Sequence, residues 1–287
     1  MHRRDHAILT PQPERDTMVV VEQLDTVLIT GASAGIGAAY ADRFARRGHP
    51  VVLVARNEER LEALALRLSR EYAVKAEVLA ADLTVPDERA RVERRLSADD
   101  AIGVLVNNAG IEGGPALTQT TPDAVQAMIE LNVTAPSRLV AALLPRLLAR
   151  GRGSIINIAS ILALAPELFD GAYAASKSYV LSYTQTLHKE VAARGIRVQC
   201  VLPGVTRTAI WNATGGVDAF PPRMIMEVDE MVDAALTGYD QGELVTIPSL
   251  VDGAEWKRFE EARRHMLPEL SRSVAADRYK SDIPEDA

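Results

Sequence analysis

The chain has 287 residues, close to half of them apolar and a quarter charged, with a net charge of −7 and a pI near 5.4. These values suit an ordinary globular protein of one large domain or two small ones, and they give no electrostatic case for binding nucleic acid or an anionic membrane. The single cysteine, Cys200, excludes an internal disulfide, and its place in the apolar run Val198-Gln199-Cys200-Val201-Leu202 marks it as a small core residue.

Residues 1–16 are polar, carry Pro11 and Pro13 and contain no apolar h-region, so no secretory signal is expected and a reducing cytoplasm is the default location. Met18 leads straight into the first strand, which makes residues 1–17 a dispensable tail or an upstream start; residues 1–22 read as a disordered tail. No stretch is expected to span a bilayer. Strand and helix then alternate. Residues 27–29 form a short buried strand, 36–47 a helix stopped by Gly48, 51–54 a second strand, and 58–72 a helix with Leu61, Leu64 and Leu68 at helical spacing. A third strand covers 78–80, Pro86 opens a helix to about Leu96, and 102–106 is the fourth strand.

Pro122 opens a long helix to about Arg150, followed by a strand at 154–158, a second long helix over 173–193, and strands at 196–202 and 244–247. Short continuous apolar strands separated by helices predict parallel strands buried on both faces, hence a doubly wound α/β domain with a seven-stranded parallel sheet over residues 23–250. Residues 206–240 read as an inserted substrate lobe or lid and 251–287 as a helical C-terminal extension.

Gly31, Gly35 and Gly37 lie between the first strand and the first helix, in the run Thr30 to Gly37. Glycines there let the turn close, let backbone N–H groups approach a phosphate and let the helix pack closely on the sheet, while the helix N-terminus favours a pyrophosphate. The spacing is G-x-x-x-G-x-G, and Ser33 offers a hydroxyl beside it. The second strand ends Val54-Ala55-Arg56-Asn57, without the acid that would bind the adenosine ribose of NAD. Arg56 either meets the 2′-phosphate of NADP or caps the sheet edge in solvent. Asp82, after the third strand, suits an adenine contact or equally starts a turn with Leu83-Thr84.

Tyr173 and Lys177 stand four apart, so on a helix both side chains leave one face; with only five lysines in the chain, that placement carries weight. Ser160 follows the buried strand Ile155 to Ala159. Pro136 stands four residues after Asn132 and has no N–H for its carbonyl, so the helix from 122 is expected to kink near 132–136, either to free that carbonyl or simply for packing.

Together these residues resemble the short-chain dehydrogenase/reductase family of the single-domain type: Thr30 to Gly37, Asp82, Asn107-Asn108-Ala109-Gly110, Asn132, Ser160, Tyr173 with Lys177, and Pro203-Gly204 with Thr208, in order across residues 24–250. The resemblance implies a Rossmann fold, an NAD(P)-dependent oxidoreductase and a catalytic tetrad of Asn132, Ser160, Tyr173 and Lys177, with the Asn132 carbonyl holding a water in a proton relay. A tyrosine phenol, ordinarily titrating near pH 10, is a poor acid–base at neutral pH, and the neighbouring ammonium of Lys177 would favour its ionised form. Tyr173 would then exchange a proton with a carbonyl or alcohol, Ser160 would hold the substrate oxygen, and Lys177 would grip the nicotinamide ribose.

The resemblance also implies cofactor contacts from Gly31, Ser33, Gly35, Ile36, Gly37, Arg56, Asp82, Leu83, Asn108, Ala109, Gly110, Tyr173, Lys177, Pro203, Gly204, Thr206 and Thr208. Arg56 makes NADP(H) the expected cofactor over NAD(H), and no metal is expected. Arg207 is either a solvent-facing charge or a phosphate contact. Apolar residues from Ile161 to Phe169, with Ile210, Trp211, Phe220, Pro221, Pro222 and Met224 from the lid, suggest a hydrophobic ketone, aldehyde or secondary alcohol, with a carrier-bound acyl substrate still open. The family further implies a homodimer or homotetramer through the helices from 122 and 173. The rival reading is a nucleotide-binding sensor on the same fold without turnover.

Overall fold

A computed structural model describes residues 24–111, 117–168, 171–208 and 216–280. The seven strands are β1 (Thr26–Thr30), β2 (Val51–Ala55), β3 (Ala76–Ala80), β4 (Ile102–Asn107), β5 (Gly153–Ile158), β6 (Ile196–Val201) and β7 (Val245–Thr246). All pair in parallel, in the order β3-β2-β1-β4-β5-β6-β7. The helices between them are α1 (Gly35–Arg46), α2 (Glu58–Tyr72), α3 (Pro86–Ala98), α4 (Pro122–Ile129), α5 (Ala135–Arg150), α6 (Tyr173–Val191), α7 (Val228–Asp240) and α8 (Gly253–His265). The sheet is thus the doubly wound Rossmann arrangement that the alternating pattern predicted.

Register explains why both faces are apolar. Leu28 pairs with Val52 on one side and Leu105 on the other, and the row continues through Ile155 to Val198. All five point into the layer formed with α3, α5 and α6. One residue along, Ile29, Leu53, Val106 and Ile156 point into the opposite layer, with α1, α2 and α7, because successive strand side chains alternate. At the C-terminal ends the rows turn polar. Asn107 Nδ2 donates to Asn157 Oδ1 at 2.9 Å, and Asn157 Nδ2 to Thr184 Oγ1 at 2.9 Å. This polar edge on β4 and β5 adjoins the β1–β4 pair, where the chain order reverses, the place at which open α/β sheets bind ligands.

Local signals set the helix ends. Asn57 caps α2, accepting from the Arg60 N–H at 2.9 Å, and Thr121 caps α4, with Pro122 following at the first helical position. Between α4 and α5 the helix widens into a π turn over Glu130–Thr134, where the Ala135 N–H reaches back five residues to the Glu130 carbonyl. The expected irregularity is therefore present but starts two residues before Asn132. Pro136 explains it, since a proline cannot donate to the carbonyl four residues back. Ser137 Oγ, one residue on, donates to the Val133 carbonyl at 2.7 Å.

Two findings depart from the sequence expectations. The continuous helix Pro122–Arg150 is, by length and composition, apolar enough to cross a membrane. Its Leu139, Val140, Leu143 and Leu147 pack into the sheet layer, so that apolar character builds the core. Second, the stretch 206–240 read as a lobe ends in α7, whose Met231, Val232, Ala235 and Leu236 are buried against the layer holding α1. The C-terminal stretch is helical as expected, through α8 and two short 3₁₀ turns. Residues 1–22, Phe169, Ile210 and Trp211 lie outside the described residues.

Asp42 ties α1 to α2. Its carboxylate accepts from Arg67 Nη1 at 2.8 Å, Tyr72 Oη at 3.2 Å and Arg43 Nη1 at 3.2 Å. Burial pushes the carboxyl up, but the hydrogen bonds from Arg67, Tyr72 and Arg43 outweigh it and hold it below the usual carboxylate range. A depressed folded-state value means the stabilisation is complete above the unfolded value and lost as pH falls through the folded one. Asp42→Asn is expected to cost about 1–3 kcal/mol at neutral pH. The gap to wild type should close as pH drops below about 4, which urea unfolding at several pH values would measure. An equal gap at all pH values would show that packing alone is at work.

Candidate active site

Above the C-terminal ends of β1, β4 and β5 lie two adjoining cavities. The first, about 470 Å³, is lined by Gly31, Ser33, Gly35, Arg56, Asp82, Leu83 and Ala109. The second, about 200 Å³, is lined by Ser160, Tyr173, Lys177, Pro203, Gly204 and Thr206. Ile36, Asn108, Gly110 and Thr208 line both, so the two form one continuous crevice.

The floor is built from the glycine loop and the segment after β4. Thr30 Oγ1 accepts from the N–H groups of Asn108 and Ala109, both at 3.0 Å, and Asn108 Nδ2 donates to the Thr30 carbonyl at 2.9 Å. Gly31 has φ +68°, and a Cβ there would lie 2.9 Å from Ala109 Cα, so only glycine fits this turn. Gly37 lines neither cavity. A Cβ on it would stand 2.4 Å from the Gly31 carbonyl oxygen, so its part is to let α1 pack close beneath the loop. Ala34, at the N-cap of α1, supplies no side-chain acceptor to the first turn. Those N–H groups point the positive end of the helix at the crevice, as a pyrophosphate requires.

At the far end Arg56 lines the crevice together with Asn57 and Arg60. Asp82 Oδ1 accepts from the Thr84 N–H at 2.9 Å and from its hydroxyl at 2.7 Å, so the turn reading of this residue holds. Burial raises the Asp82 carboxyl, while the two Thr84 hydrogen bonds and the Arg56 charge hold it below its ordinary value and therefore ionised at neutral pH. Its presence in the crevice lining keeps the adenine contact compatible with the turn.

Tyr173 opens α6, and Lys177 follows one turn later; both are buried. Lys177 Nζ lies 5.5 Å from the Tyr173 ring centroid and donates to the Ile158 carbonyl at 2.9 Å. Ser160 Oγ accepts from the Leu162 N–H at 3.2 Å. Asn132 lies behind the cavity wall, on the π turn. Its Oδ1 accepts from the Ile111 N–H at 2.9 Å, and its Nδ2 donates to the Ile111 carbonyl at 2.8 Å and to Ser176 Oγ at 3.1 Å. A Cβ on Gly110 would stand 3.2 Å from Asn132 Oδ1 and 3.5 Å from Lys177 Nζ, so that glycine is where the two meet.

Profile comparison of the sequence with the short chain dehydrogenase family gives a match over residues 25–216. The chain belongs to the short-chain dehydrogenase/reductase family. An uncharacterized oxidoreductase of Staphylococcus saprophyticus is 35% identical over 230 residues, 79% of this chain and 97% of its own. Among solved structures, a short-chain dehydrogenase from Sphingobium yanoikuyae in complex with NADPH superposes with a TM-score of 0.87 at 50% identity, covering 90% of this chain and 100% of that one. A bulky-bulky ketone specific alcohol dehydrogenase from Comamonas testosteroni gives 0.84 at 45% identity, again over 90% and 100%. This dehydrogenase is accordingly an NAD(P)-dependent oxidoreductase.

The walls of the smaller cavity in this dehydrogenase are apolar: Ile161, Leu162, Leu168, Val205, Phe220 and Met224. Of the other apolar residues expected there, Ala163, Leu164, Ala165, Pro166, Pro221 and Pro222 do not line it among the described residues. Arg207 does not reach the crevice; its guanidinium pairs with Glu227 at 2.8 Å and Asp218 at 3.0 Å, which settles the sequence ambiguity in favour of the surface. Cys200 is fully buried, which pushes its thiol up to about 12 and leaves it protonated. Sequence reasoning missed Asn57, Arg60, Ile111, Leu131 and Ser176. Asn57, next to Arg56, is the N-cap of α2 and Arg60 sits in its first turn, so both were legible in the sequence; the others have no local signal.

Proposed function

We propose that this dehydrogenase uses NADP(H) in preference to NAD(H) and interconverts a hydrophobic ketone or aldehyde and its alcohol, with Tyr173 as general acid–base. One observation carries this reading. Tyr173, Lys177 and Ser160 converge on an apolar cavity that opens directly into the crevice running from Thr208 to Arg56. The donor set suits a phosphorylated dinucleotide: the uncapped first turn of α1 for the pyrophosphate, Arg56 and Arg60 for a 2′-phosphate, and Lys177 for ribose hydroxyls.

When bound, the nicotinamide supplies or accepts the hydride. The protein's own groups manage the proton. Tyr173 Oη donates to the substrate oxygen in reduction and accepts from the hydroxyl in oxidation. Ser160 Oγ, its acceptor side engaged by the Leu162 N–H, keeps its own proton to donate to that oxygen. Lys177, held by the Ile158 carbonyl near the Tyr173 ring, supplies the positive charge that favours the phenolate during transfer. Asn132 holds Ile111 by both backbone groups and so fixes the wall beside Gly110 and Lys177.

The apolar walls, with Arg207 turned away to Glu227 and Asp218, favour an uncharged substrate. The Comamonas enzyme's stated specificity for bulky-bulky ketones supports placing large substituents on both sides of the carbonyl. The test is NADPH and NADH oxidation with ketones and aldehydes graded by bulk and charge, followed by secondary alcohols with the oxidised cofactors. Turnover concentrated in bulky apolar ketones with NADPH is the expected result. Tight NADPH binding without turnover on any carbonyl would replace this assignment with the nucleotide sensor.

A further inference from the structure

Arg89, in the first turn of α3, is buried, its side chain only 8% exposed. Its Nη1 donates to the Leu83 carbonyl at 3.0 Å and to Glu130 Oε2 at 2.9 Å. Leu83 belongs to the loop that lines the crevice beside Asp82. Glu130 is the first residue of the π turn whose third residue is Asn132. One guanidinium therefore stands between the adenine end of the cofactor crevice and the turn that carries Asn132.

Both ends of this bridge are fixed by further contacts. The Asp82 N–H donates to Glu88 Oε2 at 2.6 Å, so the start of α3 grips the loop through two adjacent residues. The other Glu130 oxygen accepts from Gln126 Nε2 at 2.9 Å, leaving the carboxylate little freedom to turn. Beyond Glu130, Asn132 holds Ile111 and donates to Ser176 Oγ, which in turn donates to the Tyr173 carbonyl at 2.7 Å. Burying a guanidinium is costly even when it is paired, and an aliphatic side chain would fill the space at less cost. Among the described residues, Arg89 Nε is buried without a hydrogen-bond partner, 3.7 Å from Glu93 Oε1, so the group is not there for full satisfaction of its own donors. Its geometry is set by the two acceptors on Nη1.

We propose that Arg89 is a positioning residue that holds the Leu83 loop and the Asn132 turn in one register, so that a single buried cation aligns the adenine end of the cofactor with the Tyr173 proton path. This rests on the roles given above to Tyr173 and Asn132. It requires that loss of Arg89 impair binding and turnover together, whereas loss of the Glu130 charge acts mainly on turnover, because the Arg89–Leu83 bond survives it.

The test compares Arg89→Met, Arg89→Lys and Glu130→Gln by NADPH dissociation constant, kcat and melting temperature. Arg89→Met is expected to weaken NADPH binding and lower kcat, each by about tenfold, the scale of one charge-assisted hydrogen bond. Glu130→Gln is expected to lower kcat with NADPH affinity within about twofold of wild type, and Arg89→Lys to recover part of both losses. Should Arg89→Met fail to fold, Arg89→Lys and Glu130→Gln decide the matter by the same split. Lower melting temperatures with unchanged kcat and NADPH affinity in the folded variants would overturn the inference, as would a Glu130→Gln enzyme altered in NADPH affinity alone. Normal turnover by Tyr173→Phe would overturn the underlying mechanism instead and is measured separately.

Discussion

Tyr173→Phe is expected to lower kcat for ketone reduction by about three orders of magnitude, the range that a positioned general acid supplies. The ring stays, so the packing of Tyr173 at the start of α6 and the Lys177 contact at 5.5 Å from its centroid are kept. Only the proton donor goes. NADPH affinity should therefore remain within about twofold of wild type, since removing an interaction made only in the transition state leaves ground-state binding alone. Lys177→Met in parallel should impair both, because Lys177 is assigned to the cofactor ribose as well as to the phenol. Single-turnover hydride transfer, followed by NADPH absorbance, separates chemistry from product release. Retention of more than about a tenth of wild-type kcat by Tyr173→Phe would exclude it as the acid, given what general acid–base catalysis contributes.

Arg56→Ala is expected to reduce kcat/KM with NADPH by about 10- to 100-fold while leaving NADH use nearly unchanged, the loss expected of a hydrogen bond to a charged group. NADH has no 2′-phosphate for Arg56 to meet, so the effect should sit in the KM for NADPH. The site is exposed, and the preference should weaken as salt is added, because screening acts strongly on surface charges. Arg60, which lines the same end of the crevice, should make the double variant worse than either single one. Steady-state kinetics with both cofactors at two ionic strengths measures this. Equal losses with NADH and NADPH would assign Arg56 to a general structural part, and a wild-type preference for NADH would remove it from cofactor selection altogether.

Much of the fold and of the candidate site is legible in the sequence. The strands announced themselves as short apolar runs, and alternate residues such as Leu28 and Ile29 went to opposite layers because a strand has a period of two. Gly31 and Gly37 were readable because steric demands on a tight strand-to-helix turn are local. Tyr173 and Lys177 share a helix face for the same reason, their spacing being one turn. Pro136 foretold an irregularity in the helix, but the widening begins at Glu130, since a missing N–H constrains the turn before it and leaves its start to the packing around it.

What the sequence by itself determined, then, was the Rossmann layering, the glycine loop, the Tyr173–Lys177 pair and the absence of an acid after β2, all properties of neighbouring residues along the chain. Only the tertiary structure decided that α7 belongs to the core, that Arg207 turns away to Glu227 and Asp218, that Asn132 clamps Ile111, and that Arg89 joins Leu83 to Glu130. Those outcomes depend on which long or polar side chains meet across elements distant in sequence. The residue 41 positions away that accepts from Arg89 carries no mark of it in the local pattern, because hydrogen-bond partners are chosen by packing in space and not by spacing along the chain.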